Sequence, residues 1–140
     1  MKLRSLLYVV CLGFLTTVFA DNRHGYPNTD TNTATKKTML PGYCEIEIIN
    51  NSYSDVTIYG TFDDGAPLSP FNVYRLGIPQ YIDLFYYDPM KDKYRCHDDM
   101  YLDIVTYNGY HIYSGYTRTG TTVELVPYLT KQIKANLHTK

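Results

Sequence analysis

The chain has 140 residues, 13 Lys and Arg against 14 Asp and Glu, a formal charge of −1 and no Trp. It shows no clustered positive charge of the kind that binds nucleic acid, so that class of partner is excluded. One domain is the expectation at this length.

Residues 1–20 have the three parts of a secretory leader. Lys2 and Arg4 form a short positive end, residues 6–15 form an apolar run, and Val18-Phe19-Ala20 ahead of Asp21 reads as a cleavage site. The apolar run is shorter than the roughly 20 residues that span a bilayer. Contact with the membrane is therefore expected only during export, to a periplasmic or secreted location. The short, lysine-containing leader points to a bacterial source. Cys11 lies within the apolar run after Val9 and Val10, with no small residue before it, and is a poor lipidation site. Cleavage leaves 11 basic against 14 acidic side chains, a charge of −3, and two cysteines, Cys44 and Cys96. Two thiols in an exported chain are expected to pair as a disulfide.

Residues 21–42 are polar, and nothing larger than alanine breaks the apolar silence of residues 28–38. Such a segment cannot offset its ordering entropy, so a disordered tail is expected. From Tyr43 the apolar period is two, the signature of strands. Cys44, Ile46 and Ile48 alternate in the first. Val56, Ile58, Gly60 and Phe62 alternate in the second, which ends at Asp63-Asp64-Gly65. The stretch holding Pro67 and Pro70 reads as a loop. Short strands follow over residues 71–76, 81–87 and 94–96. Met100, Leu102 and Ile104 mark the next, and Asn108-Gly109 predicts a two-residue type I′ hairpin, because both residues tolerate positive φ. Residues 110–117 return, Arg118-Thr119-Gly120 turns, and residues 121–126 close the sheet with Val123 and Leu125 inward. Residues 129–140 read as a C-terminal tail or short helix.

Seven or eight short strands over residues 43–128 predict an all-β fold, a small antiparallel β-sandwich of immunoglobulin-like type. Asp92, Tyr94 and Cys96 have the spacing of a tyrosine corner, but the missing Trp and the three strands after Cys96 make that match coincidental.

Sixteen tyrosines are several times ordinary usage, and fourteen of them fall between Tyr43 and Tyr128. Tyrosine offers a rigid apolar face with a polar tip, which suits recognition surfaces. The strand registers place Tyr59, Tyr101, Tyr107 and Tyr113 on outward faces, as candidate contacts for a protein or glycan partner. That makes a binding module the leading reading of function.

Two other readings stand beside it. Cys96-His97-Asp98-Asp99 offers His97, Asp98 and Asp99 as metal ligands, with Asp63-Asp64-Gly65 able to contribute from another loop, and this suits a small metal-dependent hydrolase. Residues 46–49, flanked by Glu45 and Glu47, look like a protected sheet edge, which suits a structural subunit of a surface assembly. Asp83 and Asp103 are a candidate pair of facing carboxylates for acid–base work. No Ser sits in an elbow motif. No cofactor and no catalytic residue is expected.

Overall fold

A computed structural model describes residues 22–27, 43–128 and 132–140, and no helix occurs among them. Residues 1–20, read as the leader, and residues 28–42 lie outside the described residues. Eleven strands follow one another: β1 Arg23–Gly25, β2 Glu45–Asn50, β3 Val56–Phe62, β4 Pro67–Val73, β5 Gln80–Asp83, β6 Phe85–Asp88, β7 Lys93–Cys96, β8 Asp99–Thr106, β9 His111–Arg118, β10 Thr121–Tyr128 and β11 Gln132–Thr139. Sheet A has the order β1-β5-β2-β10-β11, sheet B the order β4-β3-β8-β9, and β6 and β7 form a separate hairpin.

Alternation does in three dimensions what it promises in one. Ile46, Ile48, Ile82, Val123 and Leu125 turn one face of sheet A inward. Val56, Ile58, Met100, Leu102 and Ile104 do the same for sheet B. The two faces meet in a single apolar core. Successive side chains of a strand point to opposite sides, so each of these runs buries one set of residues and shows the other to water.

The sheet order is not clearly that of an immunoglobulin domain. Sheet A is mixed: β10 runs parallel to β2, and β1 runs parallel to β5. Cys44 and Cys96 do pair, with Cα atoms 5.8 Å apart. Their bond ties the start of β2 to the end of the β6–β7 hairpin and does not bridge sheets A and B. Tyr94 stands opposite Tyr87 within that hairpin, with ring centroids 5.4 Å apart, and not at a corner between sheets.

Several elements differ from expectation for identifiable reasons. β4 includes Pro67 and Pro70 because it is an edge strand, where a missing N–H costs no ladder bond. Residues 81–87 split at Leu84, whose N–H bonds the Cys44 carbonyl and whose carbonyl takes the His97 N–H. The chain leaves sheet A there for the hairpin. In the β8–β9 turn only Gly109 has positive φ, at 81°. The bonds Gly109 N–H to Thr106 O and Thr106 N–H to Tyr110 O make it a three-residue loop with glycine at the left-handed position. β2 lies between β5 and β10, so residues 46–49 are no edge. Glu47 is held on the outer face by Tyr81 Oη, Thr122 Oγ1 and Lys140 Nζ at 3.2, 2.9 and 3.2 Å.

Both ends of the chain add strands where a tail was expected. β1 extends sheet A from one edge, and Arg23 reaches Asp83 Oδ1 at 2.5 Å and Glu45 Oε2 at 2.8 Å. β11 pairs along its whole length with β10 at the other edge. Residues 132–139 are thus neither tail nor helix, because pairing with an open strand satisfies their backbone groups.

Candidate functional site

The outer face of sheet B carries the aromatic surface. Tyr59 lies opposite Asp103, which lies opposite Ser114; Thr61 lies opposite Tyr101, which lies opposite Tyr116. These two adjacent rows place Tyr59, Tyr101 and Tyr116 on one side of the sheet, with relative exposures of 45%, 38% and 73%. Tyr101 and Tyr116 meet edge to face with centroids 5.5 Å apart, a favourable aromatic geometry. Between the tyrosines, Asp103 Oδ1 accepts from Ser114 Oγ at 2.5 Å and pairs with His111 Nδ1 at 2.7 Å. Partial burial pushes the Asp103 carboxyl up, but the bonds from Ser114 and His111 and the histidine charge outweigh it, so its pKa lies below the ordinary value.

Two of the four predicted tyrosines do not belong to this face. Tyr107 is 94% exposed at the tip of the β8–β9 turn. Tyr113 lies opposite buried Ile104, packs against the core and donates its hydroxyl to the Tyr116 carbonyl. A bulge is the reason. Val105 faces His111 and Ile104 faces Tyr113, so Ile112 is an extra residue that reverses the parity of everything after it. The same reversal turns Tyr116 outward, where alternation counted from the turn places it inward.

A second cluster forms where the β3–β4 turn meets the β7–β8 junction. Gly65, at φ 87°, closes the turn by donating its N–H to the Phe62 carbonyl, and Ala66 N–H bonds Asp64 Oδ1 at 3.0 Å. This turn presents Asp63 and Asp64. His97 follows β7 and is 3% exposed, with its ring centroid 5.1 Å from Tyr26, 5.2 Å from Phe62 and 4.3 Å from Tyr86. Its Nδ1 meets Asp63 Oδ1. Tyr26 donates its hydroxyl to Asp64 Oδ2 at 2.6 Å. Slight burial pushes Asp64 up, but the bonds from Tyr26 and the Ala66 N–H, with the nearby histidine, set its pKa below the ordinary value.

Of the predicted metal trio, only His97 joins this group, in which the donor atoms of Asp63, Asp64 and His97 lie within 4.8 Å of one another. Asp98 is exposed, and its carbonyl accepts the Thr119 N–H. Asp99 stands opposite Arg118 in the β8–β9 ladder. Tyr26 went unforeseen because it lies in a segment too polar to announce a strand.

The remaining chemistry separates. Asp83 is on β5 in sheet A and Asp103 on β8 in sheet B, so they do not face each other across strands. Ser114 and His111 both address the same Asp103 oxygen, and that arrangement lacks the serine-to-histidine bond of a nucleophile–base relay. The chain matches no protein-family model, no curated protein and no solved structure.

Proposed function

We propose that the protein is an exported binding module that contacts a protein partner through the outer face of sheet B. The observation that carries this reading is the array of Tyr59, Tyr101 and Tyr116, exposed on paired strands around a hydrogen-bonded carboxylate. Tyr101 and Tyr116 brace each other edge to face, and a tyrosine has few rotatable bonds, so little side-chain freedom is lost on binding. Asp103, Ser114 and His111 supply polar groups among the rings that can be matched by a partner. The leader-like residues 1–20 and the Cys44–Cys96 bond support export to an oxidising compartment.

The test is capture from an envelope or extracellular fraction by the parent chain and by a Tyr101→Ser/Tyr116→Ser double variant. The expected outcome is at least about tenfold weaker capture of the same protein, as for loss of an aromatic anchor pair, with an unchanged melting temperature. Equal capture by both chains, or capture competed away by free sugars alone, defeats the reading.

A further inference from the structure

We propose that β9 is a pairing edge for a second copy of this chain, joined antiparallel about a two-fold axis at Gly115. Sheet B ends on one side at β4 and on the other at β9. An open strand carries a row of unused N–H and C=O groups, and folded chains blunt it with proline, lysine, shortness or a cover. The other sheet ends are blunted in these ways. β4 holds Pro67 and Pro70, β1 is three residues long, and β11 carries Lys134, with Lys140 just past its end. β9 runs for eight residues without a proline, a lysine or a carboxylate. Among the described residues, no backbone bond joins it to any strand but β8.

Pairing parity shows which backbone groups are open. The Thr106 N–H donates to the Tyr110 carbonyl, and bonded and unbonded pairs alternate along an antiparallel ladder. Ile104, Leu102 and Met100 of β8 therefore exchange bonds with Tyr113, Gly115 and Thr117. Ser114 and Tyr116 point their backbone groups away from β8. The Tyr113 hydroxyl reaches the Tyr116 carbonyl at 3.2 Å, as suits an oxygen outside the ladder, and that oxygen keeps a second lone pair for another donor.

A second β9 is complementary to this edge. Facing residues must lie on the same side of the sheet and must both present open backbone groups. Antiparallel pairing about Gly115 meets both conditions. Ser114 and Tyr116 then exchange N–H to carbonyl bonds with the partner's Tyr116 and the partner's Ser114. Gly115 faces the partner's Gly115 as an unbonded pair, where Cα atoms approach to about 4.5 Å, and glycine brings no side chain to that contact. Each large Tyr116 ring lies beside a small serine. The Ile112 bulge stays at the margin, whereas an axis moved to Ser114 would bring it opposite the partner's Tyr116. The row Thr61, Tyr101 and Tyr116 runs on into the partner's Ser114, the partner's Asp103 and the partner's Tyr59, which makes the two tyrosine faces one surface. Pairing uses the β9 backbone, so it holds whether or not that surface captures another protein.

The experiment is sedimentation of the exported chain, disulfide intact, over a concentration series, with amide hydrogen exchange followed at the lowest and highest concentrations. A monomer–dimer equilibrium is expected, in which the Ser114 and Tyr116 amides slow as the dimer fills. Ser114→Pro removes an N–H that β8 does not use. It should weaken dimerisation at least about tenfold and melt near the parent at low concentration. If that variant fails to fold, amide exchange in the parent gives the same reading. Tyr59→Ser, on the tyrosine face but two strands from the edge, should dimerise as the parent does. A chain that stays monomeric throughout overturns the proposal. So does a dimer that Ser114→Pro leaves intact, or one whose Ser114 and Tyr116 amides exchange as fast as the monomer's. Protection of these amides only when a different protein is added also overturns it, because a foreign strand then takes the edge.

Discussion

Asn50 shows how much a single polar side chain organises. It is 1% exposed and all its hydrogen-bonding capacity is used. Nδ2 donates to the Ser54 and Val73 carbonyls at 2.9 and 3.0 Å, and Oδ1 accepts from Ser52 N–H and Oγ at 3.1 and 2.6 Å. Three of these bonds close the β2–β3 turn, and the fourth fastens it to the end of β4, and so sheet A to sheet B. Replacing Asn50 by Ala strands the Val73 carbonyl and the Ser52 N–H in the interior, while the exposed Ser54 carbonyl keeps the Ser52 hydroxyl. Asn50→Ala is expected to lower stability by about 2–4 kcal/mol, read from the urea midpoint. A loss below about 0.5 kcal/mol would mean that water replaces the side chain without penalty. Asn50-Asn51-Ser52 is legible as a turn from residue types alone. That Asn50 is buried is not, because its partner at Val73 is 23 residues away.

Among elements, β11 makes the strongest case that context decides structure. Ile133, Ala135 and Leu137 do alternate, but alanine is a poor strand former and the intervening Lys134 and Asn136 are polar. The segment is a strand because β10 offers it eight pairing positions. Ile133 and Ala135 then pack against the core from the sheet margin, and Lys140 reaches Glu47 at 3.2 Å. Ending the chain at Tyr128 would uncover this margin and leave β10 as a raw edge. The truncated chain is expected to lose at least about 3 kcal/mol and to self-associate, as judged by denaturation and light scattering. A truncated chain that is monomeric and as stable as the parent would make β11 dispensable. At the other edge, β1 is three residues long and is held by Arg23, whose charge answers Asp83 and Glu45.

For the molecule as a whole, the disulfide is the main covalent constraint on an otherwise small two-sheet domain. Cys44 and Cys96 are 52 residues apart. Closing a loop of this length restricts the unfolded chain by about 4 kcal/mol. That is a large share of the 5–15 kcal/mol typical of domain stability. A Cys44→Ala/Cys96→Ala variant should therefore unfold at much lower urea, with a loss of about 2–5 kcal/mol. A loss under about 1 kcal/mol would show that the hairpin is tethered well enough by Leu84, whose backbone already links Cys44 and His97. The bond also fixes where His97 sits, because it anchors the strand that ends just before it. The cluster around His97 and the disulfide are thus one structural unit, while the tyrosine face belongs to sheet B alone.

The amino-acid order determined, without help, that the described residues are all-β, which side of most strands is apolar, and that Cys44 and Cys96 pair. Ile46, Ile48, Met100, Leu102, Ile104, Val123 and Leu125 are buried as their alternation requires. Alternation is a local property of one strand, and so is readable along one chain. Only the tertiary structure decided which strands are neighbours, that β2 is central, that the Ile112 bulge turns Tyr116 outward and Tyr113 inward, and that Asp63 and Asp64 rather than Asp98 and Asp99 meet His97. Those outcomes rest on pairings between residues far apart in sequence, whose energies depend on what the rest of the chain leaves available.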